Sequence, residues 1–177
     1  MSRPREPKPA KLVIGMFMKN KALCRDVVGR LCESFGPIDM VSRWLPFLET
    51  DYYAAEMGAP LFRRLIAFLT LVQQDALAGI KRLTNELETR FAANGNRAVN
   101  IDPGYLVAER FVLSTGKNFT HRIYLREGIY ADLTLIYREG RFLPLDWTYP
   151  DYAGGPIISF LTAVREKYFR QLRALRG

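Results

Sequence analysis

The sequence predicts an α+β fold, in which helices cover a mostly antiparallel sheet. Three observations lead to this prediction. Apolar residues recur every three to four positions in three long segments, which is typical of the buried face of a helix. Short apolar or alternating segments, which are typical of strands, lie between them. Turn-forming Gly, Pro and Asn residues separate the two kinds of segment along the whole chain.

The first six predicted elements follow the order strand, helix, strand, strand, helix, strand. They are a strand at 12–18, a helix at 21–35, an extended segment at 38–47, a strand at 61–72, a helix at 75–93 and a strand at 97–101. Gly36-Pro37 ends the first helix, while Asp75 and Asn94-Gly95 are the expected N-cap and end of the second. This order is that of a ferredoxin-like plait, the split βαβ arrangement, with its helices on one face of the sheet. A helix is the competing interpretation of 61–72, and we expect a polar, aromatic loop at 50–60.

An antiparallel β-meander and a C-terminal helix extend the predicted plait. Its strands are expected at 106–114, 121–125, 129–137 and 141–145. A turn at Asp102-Pro103-Gly104-Tyr105 precedes the first of them, and both later turns are the tripeptide Arg-Glu-Gly, as in short hairpins. Residues 147–155 form a predicted loop, and the last helix begins at Pro156.

Length and composition suit one globular domain. The chain has 177 residues, of which 49% are hydrophobic and 25% are charged. Because no long linker interrupts it, we expect a flexible basic tail at 1–11 and a single α+β domain at 12–177. The apolar stretches are far shorter than the roughly 20 residues of a membrane span. The first 11 residues contain three prolines and lack the apolar segment of a signal peptide. We therefore expect a cytoplasmic protein without a membrane-spanning segment.

The cysteine and histidine content excludes two kinds of site. Cys24 and Cys32 are eight residues apart on a predicted helix, a distance of about 12 Å, which is too long for a disulfide. His121 is the only histidine in the sequence, so a structural zinc site is excluded. No metal site is predicted.

The formal net charge of +8 raises the question of nucleic-acid binding, but this charge is unevenly distributed. Residues 1–11 contain four basic residues and one acidic residue, and residues 157–177 contain five and one. The rest of the chain has 17 basic and 16 acidic residues. A nucleic acid or an acidic partner would therefore bind the two termini, because the body of the protein is nearly neutral.

Three segments, 50–53, 100–105 and 147–152, combine an aspartate with nearby tyrosines. We expect each at a strand end or in a loop, where acids and phenols typically form binding pockets. The residues that these segments would contribute are Asp51, Tyr52, Asp102, Tyr105 and Asp151.

A polar stripe on the second predicted helix is a further candidate. Lys81, Asn85 and Glu88 recur at three to four residue spacing and therefore share one face. They would reach a pocket across the edge of the sheet. The alternative is an ordinary solvated helix face.

One face of a meander strand is the next candidate. This strand has Tyr130, Asp132 and Thr134 at every second position, so these three side chains point to the same face. Simple pairing with the preceding strand would add Arg122 and Tyr124 to this face. The alternative is an exposed sheet face with an ordinary Arg–Asp cross-strand pair.

His121 and four acids remain as candidates for chemistry. His121 is the candidate catalytic general base near neutral pH, with a structural role as the alternative. Asp51, Glu56, Asp102 and Asp151 would be able to hold Mg²⁺ with a substrate phosphate if they converged. Asp102 before Pro-Gly also fits ordinary turn chemistry.

Together these motifs resemble a known bacterial family, domain of unknown function 4416, over essentially the whole chain. The resemblance rests on Phe35 to Asp39, Thr50 to Tyr53 with Glu56-Met57-Gly58, Lys81 to Glu88, Asn100 to Tyr105, His121 to Leu125, and Trp147 to Tyr152. Some members carry the label of GTP-binding proteins, but this chain has no G-x-x-x-x-G-K-[ST] phosphate loop. The resemblance implies membership of the family and supplies no mechanism.

The sequence favours a preformed pocket for a polar small molecule, such as a phosphorylated, nucleotide-like one, and leaves open whether the protein is an enzyme. The proposed pocket residues are Asp51, Tyr52, Lys81, Asn85, Glu88, Asp102, Tyr105, His121, Arg122, Tyr124, Asp132 and Asp151. A binding module for RNA or an acidic partner at the basic termini is the first alternative. A protein-interaction subunit without a ligand is the second. The sequence identifies no cofactor and does not specify the oligomeric state.

Overall fold

The computed structural model describes residues 1, 3–48 and 51–175, except for the side chains of Asp51 and Tyr52. The strands of this part are Ala10–Met18 (β1), Ile38–Val41 (β2), Leu45–Phe47 (β3), Leu61–Val72 (β4), Val99–Leu106 (β5), Arg110–Thr115 (β6), Arg122–Arg126 (β7), Ile129–Arg138 (β8) and Arg141–Pro144 (β9). The α-helices are Cys24–Phe35 (α1), Asp51–Met57 (α2), Leu77–Arg90 (α3) and Gly155–Ala174 (α4). This mixture of elements confirms the predicted α+β class.

All the strands of the described part belong to one antiparallel sheet. The order along the sheet is β2-β4-β1-β5-β6-β8-β7, with β3 also beside β4 and β9 also beside β8. Each pair of neighbouring strands is antiparallel. The meander therefore extends the sheet of the first strands and does not fold over it.

Alternation along the strands divides the core into two layers. In β1, Leu12, Ile14 and Met16 pack in a cluster with residues of α1 and α3. Val13 packs in a second cluster, which contains the apolar stripe of α4. The expectation that all helices lie on one face is thus wrong for α4. Both broad faces of the sheet are apolar, and α4 covers the face that α1 and α3 leave open.

The predicted turn at Asp102-Pro103-Gly104-Tyr105 is wrong, because these residues lie inside β5. They pair in register with β1, where Asp102 is opposite Gly15. The carbonyl of Pro103 points away from β1 and accepts a hydrogen bond from the Ser114 hydroxyl. Since the N and C=O of one strand residue point to the same side, the missing N–H of Pro103 costs no bond to β1. Long-range pairing therefore overrides the local turn signal.

Other boundaries also differ from the prediction, including that of the strand expected at 106–114: Leu106 belongs to β5, and β6 begins at Arg110. Residues 51–57 form α2, where a loop was expected. Asp75 lies in a short 3-10 turn, Gln74–Ala76, and does not cap α3, whose N-cap is Ala76. β1 begins at Ala10, so Lys11, which was assigned to the tail, is a fully buried strand residue.

The two Arg-Glu-Gly segments form two-residue hairpin turns, as predicted. Glu127 and Gly128 have φ of 55° and 75°, and Glu139 and Gly140 have 54° and 80°. Two successive positive φ values are the property of the hairpin turn that matches strand twist. The two cysteines are free thiols, as their spacing predicted.

The helices offer no candidate for a membrane span. Within 1, 3–48 and 51–175, no helix combines the length and the apolar character that crossing a bilayer requires.

Candidate functional site

β5 and β6 pair along only part of their length, and this opens a gap in the sheet. Residues 104–106 pair with 111–113, whereas the described part of the chain pairs 99–103 with β1 alone. A cavity of about 590 Å³ lies here, with walls from both sides of the gap. This volume suits a small molecule.

Two side chains of α3 replace the missing strand beside Ile101. Lys81 Nζ donates a hydrogen bond to the Ile101 carbonyl over 2.8 Å. The Ile101 N–H donates to Glu88 Oε1 over 2.6 Å. Both side chains are buried and line the cavity. Burial raises the pKa of Glu88, and the positive charge of Lys81 opposes this effect. The helix thus satisfies backbone groups that the open sheet leaves without a partner.

Arg63 of β4 is the most deeply buried cation of the cavity wall, with 4% of the residue exposed. Its guanidinium carbon lies 4.5 Å from the ring centroid of Phe47 and 4.9 Å from that of Tyr152. Nη1 pairs with Asp151, and Nη2 lies 3.8 Å from Asp102 Oδ2. Neither its Nε nor its Nη1 has a hydrogen-bond partner among the described residues, so the contact with Asp151 is an ion pair without hydrogen-bond geometry. An unsatisfied donor at this depth is costly unless a ligand or water bonds it.

Tyr152, from the loop before α4, lines the cavity beside Arg63 and is 2% exposed. Its hydroxyl has no hydrogen-bond partner within the described part of the chain. Burial raises the pKa of this phenol, so it stays neutral and is able to donate a hydrogen bond. Burial likewise raises the pKa of Tyr53 of α2 to about 12.

A chain of polar contacts leads from α2 to the cavity. Arg97 donates to both carboxylate oxygens of Glu56, over 2.8 and 2.7 Å. Its Nη1 donates to Asn100 Oδ1 over 2.8 Å, and Asn100 Nδ2 donates to Asp102 Oδ2 over 2.8 Å. The hydrogen bonds from Arg97 lower the pKa of Glu56 to about 2. These contacts fix the orientation of Asp102.

The opposite wall is built around Asp132 of β8. Arg122 Nε donates to Asp132 Oδ2 over 2.9 Å, and Arg122 Nη2 donates to the Tyr149 hydroxyl over 3.1 Å. His121 Nε2 lies 3.1 Å from the same Asp132 oxygen. The His121 ring stacks on Trp147 at a centroid distance of 4.9 Å. Asp132 therefore has Arg122, His121 and the Thr134 hydroxyl as polar neighbours, and His121 is held by both its hydrogen bond and its stack.

Comparison with known proteins gives a family. The sequence model of Domain of unknown function (DUF4416) matches residues 8–168. The chain belongs to this family. No curated protein and no solved structure matches it.

The cavity of this DUF4416 chain brings together many of the residues that its sequence singled out. Those that line it are Lys81, Asn85, Glu88, Asp102, Arg122, Asp132 and Asp151. The register of β7 against β8 places Arg122 opposite Asp132 and Tyr124 opposite Tyr130, as simple pairing predicted.

Five other predicted residues lie elsewhere or outside the described part. His121 touches Asp132 but is not part of the cavity wall. Tyr105 pairs with Leu12, whose side faces α1 and α3. Tyr124 is exposed and packs on Tyr130. The side chains of Asp51 and Tyr52 lie outside the described residues.

The suggested magnesium ligands do not form a metal site in the described part of this family member. Glu56 faces Arg97, while Asp102 and Asp151 both face Arg63. No group of three or more His, Cys, Asp or Glu side chains there is arranged to hold a metal ion. Glu56, Asp102 and Asp151 therefore act as partners of guanidinium groups.

Sequence reasoning missed Arg63 and Arg97. Arg63 lies in an apolar strand. It is two positions from each of the buried residues Leu61 and Leu65 and therefore shares their face of the strand. A charged residue on the inward face of a buried strand is costly and therefore points to a site. This signal was present in the sequence. Arg97 follows Asn94-Gly95 in a loop, and nothing local distinguishes it.

Proposed function

We propose that the chain binds a polar, phosphorylated small molecule, such as a nucleotide, in the cavity between β5 and β6. The observation that carries this proposal is Arg63. Its guanidinium is buried among aromatic rings, faces the cavity and keeps Nε without a partner in the described part. A planar guanidinium in a place of low polarity suits an oxyanion.

The rest of the wall supports a ligand that is both anionic and flat. The basic residues that line the cavity are Arg63, Lys81, Arg97, Lys117 and Arg122. Aromatic rings of Phe47, Tyr53 and Tyr149 share the wall with them. Cations bind phosphate oxygens, and exposed ring faces stack on a base or another flat group. Whether a reaction follows binding is left open, and the stacked position of His121 behind Asp132 favours a structural role for its ring.

A ligand screen by thermal denaturation tests the proposal. Nucleotides and sugar phosphates are compared with the same compounds lacking phosphate, with short RNA included. A specific ligand at a hundredfold excess over its dissociation constant stabilises the fold by about 2.7 kcal/mol. We expect saturable stabilisation by one phosphorylated class and none by its unphosphorylated counterpart. Equal effects of both would contradict the proposal.

Asn85 and Glu86 provide a matched pair of variants for this screen. Both are exposed residues of α3, but only Asn85 lines the cavity. Asn85→Ala should weaken ligand-induced stabilisation, whereas Glu86→Ala should not. Neither change removes a buried group, so both variants should keep the fold.

The rival function, RNA or acidic-partner binding at the basic termini, loses part of its support, although Arg3, Arg5, Lys8, Arg170 and Arg173 are exposed. Lys11 is buried and donates to Asp39 over 2.6 Å. Arg165 of α4 donates to the Ala108 carbonyl and stacks on Tyr137, and Lys167 donates to the Asp39 carbonyl. These cations serve contacts within the chain. Stabilisation by RNA alone, lost at high salt, would restore the rival.

We also propose that the first strands and helices form a ferredoxin-like plait. Support comes from the order β2-β4-β1-β5, the antiparallel pairing of these strands and the shared face of α1 and α3. This is the arrangement of a split βαβ unit. The cavity would then lie at the edge strand β5, where the meander is added.

The proposed place of action is the cytoplasm. Cys24 and Cys32 are free thiols, which is usual for proteins of a reducing compartment. Fusion to a fluorescent protein would test this location directly. A periplasmic or surface signal would contradict it.

A further inference from the structure

The buried polar cluster around Arg63 contains more carboxylates than cations in the described part of the chain. Its cations are Arg63, Lys81 and Arg97, and its carboxylates are Glu56, Glu88, Asp102 and Asp151. Asn100 joins its two halves, because it bonds both Arg97 and Asp102. The whole cavity wall has five basic and four acidic side chains, but beside Arg63 two carboxylates, Asp102 and Asp151, face one guanidinium. An anionic ligand bound at Arg63 would therefore be repelled by these two carboxylates.

Asp151 is the carboxylate of the cluster that a ligand can displace most easily. Its carboxylate forms an ion pair with Arg63 alone in the described part, and it also accepts hydrogen bonds from the backbone of residues 151 and 152 in its own loop, between β9 and α4. Asp102, in contrast, lies in β5, accepts a hydrogen bond from Asn100 and lies 3.9 Å from Lys81. Turning Asp151 breaks one ion pair and hydrogen bonds within one loop, whereas turning Asp102 breaks contacts that join β5 to β4 and α3.

The groups that face Asp151 come from three elements. Arg63 of β4 is its partner, Asp102 of β5 repels it, and Tyr152 follows it in the loop. Tyr53 of α2 also faces Arg63. The side chain of Asp151 is 15% exposed. Burial raises the pKa of Asp151, against the attraction of Arg63.

We propose that Asp151 determines the charge of the ligands that the cavity accepts: an oxyanion replaces Asp151 at Arg63, and the displaced carboxylate takes up one proton from the solvent. This inference rests on the proposed function, since it presumes that an oxyanion binds in this cavity. The exchange leaves Nη1 of Arg63 paired and removes one buried negative charge. Binding is therefore tighter at lower pH, because a bound proton accompanies the ligand.

Sulfate is the probe for this exchange. It is a tetrahedral dianion that neither gains nor loses a proton between about pH 5 and 8, so any proton taken up is bound by the protein. Its dissociation constant is measured by calorimetry with the full chain at several pH values. For uptake of one proton, the affinity should rise about tenfold for each unit of pH lost.

Asp151→Asn and Asp146→Asn form the variant pair. Asp146 is an exposed acid of the same loop and does not line the cavity. Asp151→Asn should bind sulfate more tightly at pH 8 and with little pH dependence, whereas Asp146→Asn should behave as the unaltered protein. Calorimetry of the unaltered protein in buffers of different ionisation heat counts the protons directly, so the test does not depend on either variant folding.

The outcomes separate the two proposals. Sulfate binding that does not change with pH, or a pH dependence that Asp151→Asn keeps in full, would overturn the role of Asp151 and leave the anion site standing. Absence of sulfate binding at every pH, in both the unaltered protein and Asp151→Asn, would overturn the anion site and this inference together.

Discussion

The hydroxyl of Tyr152 occupies the space where a side chain on residue 15 would begin. A Cβ atom on Gly15 would lie only 2.5 Å from this oxygen. Gly15 is in the middle of β1 and pairs with Asp102 of β5. The missing side chain therefore makes room for the Tyr152 ring to lie over the sheet, beside Arg63 at the cavity wall.

Gly15→Ala should destabilise the protein, and Tyr152→Phe should repair most of the damage. The alanine methyl forces a buried, rigid ring to move, at a cost of about 1–3 kcal/mol. Phenylalanine lacks the clashing oxygen, and the ring carbon that remains would lie 3.7 Å from the methyl group, an ordinary contact. Tyr152→Phe alone should be nearly neutral, because the hydroxyl has no partner in the described part.

Urea denaturation of the two single variants and the double variant measures this coupling. The double variant should be more stable than Gly15→Ala alone. Simple addition of the two single effects would show that the hydroxyl does not limit residue 15.

Glu88→Leu should cost about 1–3 kcal/mol, because it leaves the N–H of Ile101 buried without an acceptor. Glu88→Gln keeps an acceptor oxygen and should cost less. Glu86→Leu is the control, since Glu86 is exposed on the same helix. Hydrogen exchange of the Ile101 amide should accelerate in Glu88→Leu alone. Equal losses of stability at positions 86 and 88 would contradict this role.

The features that could be predicted from the sequence are those that depend on local periodicity, such as the buried face of a helix or the shared face of two paired strands. The hydrophobic spacing of α1, α3 and α4 placed their buried stripes, and alternation placed Arg122 and Asp132 on one face. The same regularity put Lys81, Asn85 and Glu88 on one side of α3, which lines the cavity. In each case the residues that matter are neighbours within one element or one hairpin.

Features that depend on distant strands were not predictable in this way. Asp102-Pro103-Gly104 has the composition of a turn, but pairing with β1 holds it extended. The side that α4 covers is the face of the finished sheet that α1 and α3 leave open. The partner of Arg63 depends on a loop 88 residues later in the chain, where Asp151 lies. Local pattern carries no information about such contacts.

The Glu56–Arg97 pair should make part of the free energy of unfolding depend on pH. The pKa of Glu56 falls from 4.5 to about 2 in the folded protein, mainly because Arg97 donates hydrogen bonds to its carboxylate. A lowered folded-state pKa stabilises the protein above the unfolded value, and this contribution is lost as the pH falls from about 4.5 to about 2. Both side chains are nearly one-third exposed, so solvent screens the pair.

Glu56→Gln should accordingly lower the free energy of unfolding at pH 7 by about 1–2 kcal/mol. The difference from the unaltered protein should vanish near pH 2. Glu33→Gln is the control, since Glu33 forms an exposed pair with Arg30 and its loss should change stability little. Unfolding curves at a series of pH values measure both variants. A constant difference for Glu56→Gln over the whole range would refute the assignment.

The two hairpin turns should respond differently to the same substitution. Glu139 and Glu127 both hold a positive φ, which asparagine adopts more readily than glutamate. Among the described residues, the one ion pair of Glu139 is an exposed contact with its neighbour Arg138, so Glu139→Asn should stabilise the protein by about 0.5–1 kcal/mol. Glu127 instead accepts a hydrogen bond from Arg82 of α3 over 2.5 Å, which ties the β7–β8 turn to that helix. Glu127→Asn gains the easier backbone conformation and loses this contact, so its net effect should be smaller. Thermal denaturation of the two variants compares them directly, and an equal gain at both turns would show that the Arg82 contact contributes nothing.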